Sequence, residues 1–241
     1  MYSRKILNFV SPNKNDVFSW RDLNCLMRPL ANILACYEKE YYSYYLLLAS
    51  FLSIYCYIDK SGNEKHYIDD LYNSYFPKLF GIKSEKRTFS NKYEFVSEVK
   101  DSIDRGDPIL ISVDLMELHY YEMYKVQHRD KNFTIYGYDM DKEIFYILDN
   151  LHTKNVDDIL LSPFVITFDE MYRMASSFNS FFLNSNMSSY YEFSMESNEV
   201  CSLKDVVVVL EKLLSYGEKN YVYPEEYTLH KIKKLQKNEL R

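Results

Sequence analysis

The chain has 241 residues, of which 47% are hydrophobic and 27% charged. These are ordinary proportions for a globular protein and exclude extended disorder. The 29 basic and 35 acidic residues give a net charge of −6. This sign argues against a general nucleic-acid surface, which needs a basic field to neutralise phosphates.

The sequence carries no sign of a membrane segment or an export signal. The longest apolar stretch, Tyr44 to Ile58, is interrupted by Ser50 and Ser53, and the N-terminus lacks the apolar core of a signal peptide. The four cysteines, at positions 25, 36, 56 and 201, form neither a CxxC motif nor a zinc-ligand spacing. We therefore expect reduced thiols, no metal site, no cofactor, no membrane contact and a cytoplasmic location.

The first third of the chain has helical periodicity. Residues 17–58 are predicted to be helical, with a second helix covering about Tyr41 to Ile58. A third helix is predicted near Lys92 to Asp104, closed by a glycine and a proline. The apolar face of the first helix repeats at offsets of three and four residues and is formed by Leu23, Met27, Leu30, Leu34 and Tyr37.

Strand patterns follow from position 108 onward. Four runs rich in β-branched and aromatic residues cover 108–115, 132–138, 143–148 and 162–168. The second and third runs are separated by a short Asp-rich turn and predict a hairpin. A helix is expected to follow, with Asp169 as its N-cap and its end near Phe178. Further helices are predicted at Val206 to Leu214 and from Glu225 onward.

This order of elements predicts an α+β fold, with N-terminal helices packed on an antiparallel sheet and helices after it. We found no internal repeat and no linker, so a single domain over 1–241 is expected.

Cys25 is the first candidate for chemistry. It stands just before a helical run, and Pro29 is typical of a helix start. The dipole at a helix N-terminus favours a thiolate, which is the nucleophilic form of cysteine. The alternative interpretation is a small buried hydrophobic residue.

A cysteine nucleophile needs a base and a group that orients the base. His128 lies just ahead of one predicted strand, and Asp149 lies at the end of its antiparallel neighbour, so the two could be adjacent. His119 and His152 are competing histidines in loops. Sequence spacing alone leaves the choice open.

Two stretches carry a resemblance to a known family. They are Asn24-Cys25 with the apolar helix that follows it, and the strands running from Val113-Asp-Leu115 through Tyr136-Gly-Tyr-Asp139 to Asp149. Together they resemble the papain-like cysteine acyltransferases found in the N-terminal domain of the butirosin acyltransferase and in the closthioamide amide synthase. The resemblance covers about 20–180, which leaves 181–241 as an expected helical extension.

The resemblance implies a papain-like fold and a Cys–His–Asp triad in which Cys25 is the nucleophile and Asp149 the orienting carboxylate. Members usually carry a histidine six residues before the glycine of Gly-Tyr-Asp, where this chain has Lys131. The base is therefore either His128 or Lys131. Ser19 replaces the glutamine that helps to form the family's oxyanion hole.

The implied activity is transfer of an acyl group from a carrier-protein phosphopantetheine thioester, through a Cys25 acyl-enzyme, to an amine. Asn24, Lys131 and Tyr136 are the implied substrate-binding residues. Two alternatives remain: a cysteine peptidase or amidohydrolase, and an inactive homologue that acts as a binding protein.

Overall fold

The structure is a computed structural model that describes residues 3–8, 27–37, 56–58, 64–66, 79–122, 124–150, 161–185, 187–196 and 201–220. The α+β class is confirmed, since four helices accompany an antiparallel sheet in these ranges. The helices are α1 (Met27–Ala35), α2 (Lys92–Arg105), α3 (Phe168–Phe182) and α4 (Leu203–Asn220). The strands are β1 (Arg4–Ile6), β2 (Cys56–Ile58), β3 (Glu64–His66), β4 (Ile82–Phe89), β5 (Ile109–Asp114), β6 (Asp130–Asp139), β7 (Ile144–Asn150), β8 (Leu161–Thr167) and β9 (Ser188–Met195).

Seven of these strands form one sheet. Six of them lie in the order β4-β9-β5-β6-β7-β8. The seventh, β1, pairs with the C-terminal end of β6, past the part of β6 that pairs with β5. Every pairing is antiparallel. The predicted hairpin is confirmed as β6 and β7, with a bulge between Ile135 and Gly137. Strands β2 and β3 form a separate two-stranded ribbon.

Local sequence sets both ends of α2, as expected. The Asn91 side chain accepts a hydrogen bond from the backbone N–H of Glu94 at 3.0 Å and so caps the first turn. Gly106 ends the helix at φ 103°, a left-handed conformation that glycine adopts without strain.

The predicted start of α3 is wrong by two residues. Thr167, not Asp169, is the N-cap, and it forms a capping box with Glu170. Asp169 instead accepts a hydrogen bond from Lys92 of α2 at 2.6 Å. A capping box satisfies two backbone donors, whereas a lone aspartate satisfies one, so the box determines the boundary.

Other corrections concern strands that were predicted as helix or not predicted. Residues 56–58 are β2 rather than the end of a helix, and 188–195, expected in a helical extension, form β9 between β4 and β5. Strand β4 was missed because its sequence, IKSEKRTF, is charged. It lies at the sheet edge, where charged side chains reach water. The remainder of the second predicted helix and the tail from Glu225 lie outside the described residues.

Helices α2 and α3 cover one face of the sheet. Their apolar residues and those of β5, β6 and β7 form one buried cluster. It includes Phe95, Val99, Ile111, Val113, Phe133, Ile135, Tyr138, Phe145, Ile147, Met171, Met174 and Ala175.

Helix α1 packs on the opposite face. Thr134 lies between Phe133 and Ile135 of the cluster, so its side chain points the other way. Its hydroxyl donates to the carbonyl of Pro29 in α1 at 2.9 Å. Because side chains alternate along a strand, this one contact assigns α1 to the face away from α2 and α3.

Two contacts give the direction of α1. Pro29 lies over Thr134, while the Tyr37 hydroxyl, just after the helix, donates to the Phe193 carbonyl at 2.6 Å. Phe193 lies by the start of β5, since its own N–H donates to the Pro108 carbonyl. Thr134 pairs with Leu110, so both contacts lie near the start of β5, and α1 crosses the sheet from β6 at its first turn toward β9 at its end. We call the opposite end of these strands, where β5 finishes and β6 begins, the Asp114 end of the sheet.

Gly137 is required by the close approach of β1. A Cβ added there would lie 2.8 Å from the Lys5 carbonyl oxygen and 3.1 Å from the Ile6 Cα. We predict that Gly137→Ala lowers the free energy of unfolding by about 1–3 kcal/mol, because backbone atoms cannot move aside cheaply. Urea denaturation measures the loss.

Deleting residues 1–8 provides the control for that prediction. In the shortened chain the Gly137→Ala substitution should cost little, since the clashing strand is gone. An equal cost in both backgrounds would contradict the explanation.

Candidate functional site

A histidine and a buried carboxylate meet at the Asp114 end of the sheet. His128 precedes β6 by two residues, and Asp114 is the last residue of β5, paired with Asp130. The His128 Nδ1 lies 2.6 Å from the Asp114 Oδ2. The Asp114 side chain is fully buried, while that of His128 is 32% exposed. The pair therefore presents its imidazole, and not its carboxylate, to the surface.

Asp114 is held as a carboxylate. Burial acts to raise its pKa, but hydrogen bonds from His128, from the Ser177 hydroxyl and from two backbone N–H groups outweigh burial and lower the pKa. The backbone donors are Met116, at 3.0 Å, and Arg129, at 3.2 Å. Four donors around one buried carboxylate explain why the charge is tolerated there.

The protonation of His128 follows from this contact. An ionised carboxylate only accepts hydrogen bonds, so Nδ1 carries the proton and donates it to Asp114. In the neutral ring Nε2 is then left as an acceptor. Within the described part of the chain Nε2 has no hydrogen-bond partner. This is the tautomer that a general base requires.

Helix α3 completes the pair. The Ser177 hydroxyl donates to the Asp114 Oδ2 at 2.7 Å. One helical turn later, the Phe181 ring stacks on the His128 ring, with centroids 3.6 Å apart and planes inclined by 11°. One face of α3 therefore contacts both the Asp114 carboxylate and the His128 ring.

The predicted nucleophile and its neighbour, Cys25 and Asn24, lie outside the described residues. The backbone of Asp149 belongs to β7 and pairs with Ser162 of β8, but its side chain is not among those that the structure describes. The carboxylate that contacts His128 is Asp114. The predicted roles of Cys25, Asn24 and Asp149 therefore stay predictions.

Lys131, the second candidate base, points away from α1. It pairs with Val113 of the buried cluster, is 7% exposed, and has its Nζ 5.6 Å from the centroid of the Phe133 ring. It therefore lies on the face that carries α2 and α3. Of the two candidate bases, only His128 lies beyond the strands, where neither face of the sheet encloses it.

Tyr136, predicted to bind substrate, lies at the bulge of β6 and is buried beside Tyr146. Burial and the neighbouring Cys36 raise its pKa to about 12. Since Cys36 follows α1, this places Tyr136 near the far end of that helix, away from the Asp114 end of the sheet.

The competing histidines are accounted for differently. The His119 Nδ1 lies 2.8 Å from a carboxylate oxygen of Glu170, but the His119 side chain is 53% exposed. The Glu170 carboxylate also closes the capping box of α3. His152 lies outside the described residues. In the described ranges, His128 is the histidine with a fully buried carboxylate partner.

The structure describes the side chains of two other cysteines, Cys36 and Cys201, and both are protonated thiols. Burial raises the pKa of Cys36 to about 12 and that of Cys201 to about 11. No group of three or more potential metal ligands occurs among the described residues. None of the helices in the described ranges combines the length and apolarity needed to cross a bilayer.

A comparison with protein families identifies the chain. The family described as butirosin biosynthesis protein H, N-terminal, matches residues 24–150. This range is more than half of the 241 residues and includes the Asp114 end of the sheet. The chain belongs to this family, as its resemblance predicted. No curated protein matches the chain.

Asp114, Ser177 and Phe181 were not among the site residues predicted from the sequence. One signal was present, because an aspartate that ends an apolar strand must find donors. The contacts of Ser177 and Phe181 had no such signal. Ser177 lies 63 residues from Asp114 in the chain, and Phe181 lies 53 residues from His128.

We predict that Asp114→Asn lowers the free energy of unfolding at pH 7 by roughly 1–3 kcal/mol, because buried donors lose their charged acceptor. The pKa of Asp114 is lower in the folded state, so its contribution is present above the ordinary aspartate range and is lost as pH falls through the folded pKa. The difference from wild type should shrink in acid. Asp141→Asn, in an exposed turn, is the control, and a pH-independent difference would contradict the prediction.

We also predict that iodoacetamide modifies Cys25 well below pH 8 and leaves Cys36 and Cys201 unmodified, since burial keeps those two as thiols. Peptide mapping by mass spectrometry identifies the modified residue. Cys25→Ser is the control. Equal labelling of Cys25, Cys36 and Cys201 in the folded protein would contradict a selectively activated thiol.

Proposed function

We propose that the chain is a cysteine acyltransferase that forms amides. Cys25 accepts an acyl group from a carrier-protein thioester and passes it to an amine. The observation that supports this most directly is the His128–Asp114 pair, whose Nε2 is left as a proton acceptor at the surface. Membership in a family named for butirosin biosynthesis supports a role in natural-product assembly.

The proposed reaction has two steps. In the first, the His128 Nε2 takes the proton from Cys25, the sulfur bonds to the acyl carbon, and the bond to the carrier's thiol breaks as that thiol takes the proton. In the second, the amine nitrogen attacks the acyl-enzyme, the C–S bond breaks, and the amine's proton returns through Nε2 to the Cys25 sulfur. No cofactor is needed, since thiol and imidazole provide both steps.

The position of α1 supports Cys25 as the nucleophile. The residue precedes α1 by two positions, and the first turn of α1 lies over Thr134 of β6, four residues from the start of that strand at Asp130. The positive end of the helix dipole favours a thiolate at such a position. Because α1 and α3 lie on opposite faces, we propose that Cys25 and His128 meet beyond the ends of β5 and β6.

We also propose a papain-like arrangement over about 20–180 within one domain, 1–241, in the cytoplasm. Asp149 remains the proposed orienting carboxylate by resemblance, and Asp114 is the competing candidate by contact. Asn24, Lys131 and Tyr136 remain proposed substrate contacts. The proposed partners are an acyl carrier protein and an amine acceptor.

The test is acylation of the purified protein by a panel of carrier-bound acyl thioesters, followed by intact-mass spectrometry. We expect an adduct that is absent in Cys25→Ala and at least about 100-fold slower to form in His128→Ala, since general base catalysis contributes at this scale. Adding amines should release the acyl group as an amide. Cys36→Ala is the matched control and should react normally.

The variants also separate the alternatives. Release of the adduct by water alone would favour a hydrolase. Loss of acylation in Lys131→Ala but not in His128→Ala would transfer the role of base to Lys131. A comparison of Asp114→Asn with Asp149→Asn identifies the orienting carboxylate. No adduct with any donor would overturn the enzyme and favour the binding protein.

A further inference from the structure

Helix α3 lies outside the family match, which ends at residue 150, yet it contacts both members of the histidine–carboxylate pair. Ser177 bonds to Asp114, and Phe181, four residues later, stacks on His128. Residues four apart share one face of a helix, so both contacts are made by adjacent turns.

We propose that the C-terminal half of α3 is the positioning element of the catalytic base, with Ser177 and Phe181 as its positioning residues. Ser177 holds the carboxylate, and Phe181 holds the imidazole. The consequence for catalysis rests on the proposed function, whereas the effect on the histidine itself can be measured without any reaction.

Ser177 acts through the oxygen that receives the imidazole proton. The Asp114 Oδ2 accepts from both the Ser177 hydroxyl at 2.7 Å and the His128 Nδ1 at 2.6 Å, while Oδ1 accepts from two backbone N–H groups. With each oxygen engaged twice, the carboxylate cannot turn about its Cβ–Cγ bond. Removing the hydroxyl leaves His128 as the single donor to Oδ2, so the carboxylate holds the imidazole less firmly.

Phe181 acts on the ring plane. A stack at 3.6 Å and 11° blocks rotation of the imidazole about its Cβ–Cγ bond. Phe181 is 54% exposed and does not belong to the buried cluster. Core packing therefore does not account for its contact with His128.

The helix is held independently of the pair. Its first turn is fixed by the capping box of Thr167 and Glu170, and Met171, Met174 and Ala175 are buried in the core. Ser177 and Phe181 thus extend from an anchored helix. Such an element can impose a geometry on His128, whose own loop precedes β6.

The experiment reads the His128 tautomer by long-range ¹H–¹⁵N NMR of the full chain, with the signal assigned by His128→Gln. Wild type should show the Nδ1-protonated form. Ser177→Ala and Phe181→Ala should each show a mixture of tautomers, and Phe181→Tyr, which keeps the ring, should restore the wild-type spectrum.

The matched controls are Ser180→Ala and Leu183→Ala. Both residues are exposed, Ser180 on the same helix and Leu183 directly after it. Both controls should give the wild-type spectrum. Tautomer mixtures of equal size in test and control variants would overturn the inference.

A kinetic arm separates this inference from the proposed function. With an acyl thioester that labels Cys25, Phe181→Ala should slow acylation about twofold to tenfold, the ratio that one aromatic stack supports, with KM unchanged. Normal acylation with an unchanged tautomer would overturn positioning and leave the transferase intact. A changed tautomer with no acylation in wild type would overturn the transferase and support positioning.

Discussion

The structure of the candidate site depends on one buried negative charge. The Asp114 carboxylate is fully buried and accepts hydrogen bonds from the turn after β5, from the loop before β6 and from α3. A buried carboxylate without hydrogen-bond donors is energetically unfavourable. The hydrogen bonds to Asp114 therefore favour the arrangement in which these three segments lie together. Among the four donors, only His128 is an imidazole, whose second nitrogen can accept a proton. The same charge that joins the segments therefore also orders the imidazole.

The sheet separates the two halves of the proposed chemistry. Thr134 contacts α1 on one face, and its neighbour Phe133 belongs to the core under α2 and α3 on the other. In the proposed mechanism, a nucleophile before α1 and a base contacted by α3 meet past the ends of β5 and β6. This constraint distinguishes His128, which precedes β6, from Lys131, which lies within the strand and faces α3.

Sequence patterns predicted the elements whose signals are local. Helix α2 has its cap and its glycine within its own segment, and the β6–β7 hairpin has alternating strands around a short turn. Strand β9 was mistaken because its serine-rich sequence is uninformative, and only pairing with both β4 and β5 makes it a strand. Similarly, His128 was a candidate from its position before a strand, but its partner was not identified.

The sequence by itself determined the α+β class, the family, and a short set of titratable residues, because these depend on composition, periodicity and motifs close together in the chain. Tertiary structure decided which carboxylate meets His128. Asp114 and Ser177 are far from each other in the chain, and they meet because α3 packs over β5, the strand that ends at Asp114. Hydrogen bonds between distant segments leave no periodic trace in a sequence. Strand register and helix packing determine which distant residues form these hydrogen bonds, and both exist only in the folded chain.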